Sequence, residues 1–260
     1  MIAAAAAALL LRVLPCALAF AGWQVAALAP ASAAQTRVAV AANFTDAAQE
    51  IAAAFAKATG HEAILSFGSS AQLLTQVAQG APFEAFLSAD EERPARAIAD
   101  RLALAESRFT YAIGKLVLWS RDPGAVTGEA TLRAGAFARI AIANPAAAPY
   151  GTAAIETMKA LGVYEAVQSK VVQGASIAQA FQFVDTGNAE LGFVALSQVA
   201  NSPKGSRWLV PQALYRPIRQ DAVLLARGEG NEAARAFLAF LRGPQARAVI
   251  ERYGYETAKD

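Results

Sequence analysis

Four times in this chain a short apolar run ends in a turn of glycine, amide or hydroxyl residues and passes into a segment with helical periodicity. The clearest case is Ala63-Ile64-Leu65, then Gly68-Ser69-Ser70, then Leu73, Leu74 and Val77 at helical spacing. Gly68 lets the backbone turn tightly, and Ser69 or Ser70 stands where a helix takes its N-cap. A strand, a tight turn and a helix start place unpaired backbone N–H groups and the positive end of the helix dipole at one corner, which suits an anion. Taken alone, such a corner is better explained by serines that only cap a helix.

The order of elements extends the argument. Residues 37–42 read as a buried strand and are followed by Asn43, Thr45 and Asp46, all good cap residues, and by a helix over 47–58 with Ile51 and Phe55 inward. The Gly-Ser-Ser corner and its helix come next, then a strand over 83–88 and a helix opening at 89–92. This βαβαβα order predicts a mainly parallel sheet with helices on its faces, where ligands sit at the carboxyl ends of strands. The long apolar run 111–119 reads as one strand carrying the chain into a second lobe. There, strands at 139–143 and 170–172 lead into two further helix starts, at Tyr150-Gly151-Thr152 and at Ser176-Ile177, with the first of these helices expected over 153–161. Leu191 to Ala195 is another buried strand, 218–226 returns to the first lobe, and helices over 232–241 and 244–252 close the chain. The expected division is 35–112 with 221–260 as one lobe and 113–220 as the other, hinged near 111–114 and 215–221. Corners split between two lobes predict a cleft walled by helix N-termini, in which neutral donors alone hold a small anion. Charge-assisted hydrogen bonds contribute about 1.5–3 kcal/mol each, so five or more offset the dehydration of a dianion.

Residues 1–34 stand apart. They are apolar almost throughout, carry Arg12 as their only charged side chain, and end in Ala31-Ser32-Ala33-Ala34, which suits signal-peptidase cleavage. The expectation is an export signal and a periplasmic mature protein; an uncleaved membrane anchor is the alternative. Cys16, the only cysteine of the 260 residues, lies in this segment, so no disulfide or thiolate chemistry is expected beyond it. A formal charge of +2 with no basic block argues against a nucleic-acid partner. His61 is the only histidine, on an apparent surface turn. With no Gly-x-Ser-x-Gly elbow and no second histidine, a hydrolase built on Ser70 lacks a base, and transition-metal sites lack ligands. Phe181, Phe183, Phe237 and Phe240 sit at core positions of helices.

The same corners carry a family resemblance. Val40-Ala41-Ala42-Asn43-Phe44-Thr45-Asp46-Ala47, Ser-Phe-Gly-Ser-Ser at 66–70, Gly-Ala-Pro-Phe-Glu-Ala-Phe-Leu-Ser-Ala-Asp at 80–90, Ala-Asn-Pro…Pro-Tyr-Gly at 143–151, Gly-Asn-Ala-Glu-Leu-Gly-Phe-Val-Ala at 187–195, Leu-Arg-Gly-Pro-Gln-Ala at 241–246 and Arg-Tyr-Gly-Tyr at 252–255 resemble the periplasmic molybdate-binding proteins of ABC transporters. The likeness spans essentially the whole chain after residue 34. It implies a two-lobed type II periplasmic binding protein fold, α/β in both lobes, and a tetrahedral molybdate or tungstate dianion in the cleft. It implies an ABC permease as partner, a monomer, no cofactor and no enzymatic activity. Residue by residue it implies that Asn43 supplies an amide or hydroxyl-type donor, Ser70 its hydroxyl and N–H, and Tyr150 and Ile177 their N–H groups. Ala195 departs from family members that carry a tyrosine there; the Tyr150 hydroxyl is the candidate compensating donor. That departure leaves a different small anion or an organic acid as the rival ligand.

Overall fold

The computed structural model describes residues 33–257. The expected export segment therefore lies outside the described residues, except for Ala33 and Ala34. Along the chain the strands are β1 (Gln35–Ala41), β2 (Glu62–Gly68), β3 (Ala85–Leu87), β4 (Phe109–Gly114), β5 (Leu116–Ser120), β6 (Ile140–Ala143), β7 (Val171–Gly174), β8 (Leu191–Ala195), β9 (Ser206–Leu209) and β10 (Ile218–Leu224). The helices are α1 (Thr45–Thr59), α2 (Ser70–Ala78), α3 (Glu92–Ala99), α4 (Glu129–Ala134), α5 (Pro149–Ala160), α6 (Tyr164–Val167), α7 (Ile177–Asp185), α8 (Leu196–Val199), α9 (Glu232–Arg242) and α10 (Pro244–Arg252).

The strands form two sheets with the same plan. The first runs β2-β1-β3-β10-β4 and the second β7-β6-β8-β5-β9. In each, three parallel strands built by helical crossovers are extended by two antiparallel strands, so the sheets are mixed. Each sheet and its helices make one lobe. In β1 the side chains of Val38 and Val40 join Phe44, Ile51, Phe55 and Phe237 on one face, while Ala39 joins Leu73, Val77 and Phe86 on the other. Both faces are covered, which is why the strand reads as unbroken apolar sequence rather than as an alternation. The second lobe packs around Trp119, Phe193 and Met158. Among the four helix phenylalanines expected in the core, Phe237 is fully buried, and Phe181, Phe183 and Phe240 are partly buried against it or its counterpart.

The run 111–119 is two strands, not one. It breaks at Lys115: β4 pairs with β10 in the first sheet and β5 with β8 and β9 in the second. Lys115, paired with Glu256 at 2.6 Å, belongs to neither ladder, whereas Leu116 already pairs with Ala195 in the second sheet and gives its N–H to the Tyr215 hydroxyl at 3.1 Å. β4 runs to Gly114 and β10 starts at Ile218, so divisions at 112/113 and 220/221 fall inside strands of the first sheet. His61 is buried, not on the surface: it packs beside Phe55, and its Nδ1 accepts from Ala34 N–H at 3.2 Å.

Candidate functional site

Each helix-opening corner has a local cause. Ser69, with extended backbone, caps α2 by accepting from Gln72 N–H at 3.4 Å. Ser176 caps α7 in the same way through Gln179 N–H at 3.3 Å. α5 begins at Pro149, four residues earlier than its apolar periodicity suggests, because proline at N1 needs no N–H partner and arrives with helical φ. Gly151 permits that start: a Cβ there would lie 2.1 Å from the Ala143 carbonyl oxygen. The first corner differs from the reading of the sequence. A 3₁₀ turn over Ala42–Phe44 precedes α1, and neither Asn43 nor Phe44 caps it with a side chain.

The four corners meet in one small, constricted cavity between the lobes. Asn43, Ser70, Tyr150 and Ile177 all line it, with Ser69, Ala89, Pro149 and four small neighbours. No charged side chain does. The four residues are buried to within 3% of complete. Among the described residues, the backbone N–H groups of Ser70, Tyr150 and Ile177, each at the first or second position of its helix, form no hydrogen bond. Buried N–H groups are nearly always paired, so three at one cavity mark a place for an external acceptor. Ser70 adds a fourth donor. Its Oγ accepts from Ala89 N–H at 2.9 Å, which occupies a lone pair and leaves the hydroxyl hydrogen to be given.

Asn43 has a different job from a cap. Its Nδ2 donates to Gln220 Oε1 at 2.8 Å and to the Tyr255 hydroxyl at 2.9 Å, which uses both amide hydrogens. The Asn43 backbone carbonyl accepts from Ser197 Oγ at 2.8 Å and from the Tyr255 hydroxyl at 2.7 Å. Gln220 is fully buried, accepts from Tyr111 at 3.0 Å and donates to the Tyr150 hydroxyl at 3.2 Å. The Tyr150 hydroxyl is thus turned into this network and against Gly114, where a Cβ would lie 2.1 Å from it. Ala195, buried at the end of β8, is not among the residues lining the cavity. Burial pushes the pKa values of Tyr111, Tyr150 and Tyr255 up, so all three remain protonated. The roles of Gln220, Tyr111, Ser197 and Tyr255 are not legible from the residues singly, because their contacts with Asn43 and with one another span long stretches of chain. A polar pair, Gln220-Asp221, inside an otherwise apolar strand was the available signal.

Two α/β lobes with a neutral, donor-lined pocket between them define a solute-binding protein of the type II periplasmic class. The model of the bacterial extracellular solute-binding protein family matches residues 36–256. The Rhodobacter capsulatus molybdate-binding protein ModA is 53% identical over 88% of this chain and 90% of its own length. The Azotobacter vinelandii ModA is 55% identical over 86% and 91%. The solved periplasmic molybdate-binding protein of Azotobacter vinelandii superposes with a TM-score of 0.82 at 40% identity, covering 86% of this chain and all of that one. The chain belongs to the family of bacterial extracellular solute-binding proteins that includes these ModA proteins.

Proposed function

We propose that this protein captures molybdate between its lobes and delivers it to an ABC permease, as a periplasmic receptor without enzymatic activity. The observation that carries the reading is the set of three acceptor-free N–H groups, from three helix N-termini, around one uncharged cavity. Helix N-termini favour an anion through the dipole and the unpaired donors, without side-chain cations. The high identity to two ModA proteins supports molybdate as that anion. In this reading Ser70 gives its hydroxyl and N–H, and Tyr150 and Ile177 give their N–H groups. Asn43 forms the wall and ties the pocket to Gln220 and Tyr255, since its amide hydrogens are already used.

The donors divide between lobes, Ser70 on one and Tyr150 and Ile177 on the other, so only the closed form satisfies all the oxygens of a tetrahedral ligand. We assign the hinge to the crossovers at Lys115 and between β9 and β10. Tungstate, with the same shape and charge, is expected to bind as well. Residues 1–34 act as the export signal, and the receptor works as a monomer. Isothermal titration with molybdate, then tungstate and sulfate, tests the reading. One-to-one binding of molybdate with no heat from sulfate is expected; preference for sulfate, or no response to molybdate, overturns it.

A further inference from the structure

The turn that leads into α5 is held from the opposite lobe. Within the turn, Asn144 Oδ1 accepts from Ala146 N–H at 3.0 Å, the Asn144 carbonyl accepts from Ala147 and Ala148, and Thr152 Oγ1 donates to the Pro145 carbonyl at 3.0 Å. The next two carbonyls look across the cleft. Ala147 O accepts from Ala71 N–H at 3.2 Å, one residue along α2 from Ser70. Ala146 O accepts from the Arg93 guanidinium at 3.1 Å. Arg93 is not a loose surface cation: its side chain is 19% exposed and its guanidinium also pairs with Asp90. Asp90 is itself fixed, accepting from Arg93 N–H at 2.9 Å and from Ser88 Oγ at 3.1 Å.

We propose that Arg93 is the closure latch of the two lobes, a positioning residue that acts on the bound anion only through the 144–148 turn. Arg93 touches none of the cavity donors. Its bond to Ala146 forms only when the lobes meet, and it clamps the turn four residues before the Tyr150 N–H. One planar fork bonds Asp90 on its own lobe and the carbonyl on the other, which a point charge cannot do at once. A contact present only in the closed state lowers the free energy of that state alone, so its loss should speed ligand escape more than it slows capture.

The proposal rests on the molybdate reading for its probe, and the experiment separates the two. Full-length wild type, Arg93→Ala and Arg93→Lys are titrated with sodium molybdate, and dissociation is followed by stopped-flow tryptophan fluorescence. Arg93→Ala should weaken binding about tenfold, through the dissociation rate, with Arg93→Lys recovering only part. An unchanged dissociation rate, or a loss residing wholly in the association rate, overturns the latch. Failure of wild type to bind molybdate overturns the functional reading instead, and the latch is then judged on ligand-free protein by small-angle scattering. A larger radius of gyration in Arg93→Ala supports it; scattering identical to wild type overturns it.

Discussion

At the scale of the residue, the proposed site rests on hydroxyls and amides whose other hydrogen bonds are already committed within the protein. Ser70 is the sharpest case, because Ala89 N–H occupies its oxygen and only the hydrogen is left to give. Ser70→Ala should weaken molybdate binding by about 10- to 100-fold, the value of one hydrogen bond to a charged group, while the protein stays folded; calorimetry and circular dichroism together check this. Gly114 is a steric requirement: a Cβ there would meet Tyr150 Oη at 2.1 Å and Gln220 Nε2 at 2.6 Å. Gly114→Ala should displace Tyr150 and lower both affinity and melting temperature, and retention of both would refute the role given to this close approach. The buried tyrosines give a pH prediction with a definite sign. Their folded pKa values lie above the ordinary value of 10.0. Above about pH 10 the unfolded chain ionises them while the folded chain cannot, so the unfolded state binds fewer protons and stability falls as pH rises. Denaturant titrations on either side of that pH measure the slope.

At the scale of the element, what matters is where a helix begins. Ile177 is the first residue of α7 and offers the cavity only its N–H. Proline at that first position keeps the helix and removes the donor, and Ser176 before it already has the extended backbone that precedes proline. Ile177→Ala should therefore leave molybdate affinity nearly unchanged, and Ile177→Pro should reduce it by about tenfold or more, with helix content intact in both. Equal effects from the two substitutions would mean that side-chain packing, not the N–H, is what the site uses.

At the scale of the whole molecule, two lobes of the same plan are joined at Lys115 and between β9 and β10, and share the cavity. A ligand held by both binds only the folded, closed state, so it should stabilise the protein by about 2.7 kcal/mol at a hundredfold excess over Kd. Thermal unfolding with and without molybdate measures this, and an unmoved transition with bound ligand would contradict shared binding.

Much of this molecule was legible before folding was considered. The strand-to-helix corners at 41–45, 68–70, 143–150 and 174–177 could be read because apolar runs, cap residues and glycine act locally, within a few residues. Asn43, Ser70, Tyr150 and Ile177, singled out from those corners, are among the residues that line the cavity. What the chain order could not show was what each polar side chain does when the lobes come together. Asn43 looked like a cap and a donor, but its amide meets residues 177 and 212 positions away. The break at Lys115, the burial of His61 and the Arg93 bond to Ala146 likewise depend on partners distant in sequence. Local propensity places a helix start; only tertiary structure decides which buried donors find partners within the protein and which are left for a ligand, because that is settled by pairing across the whole fold.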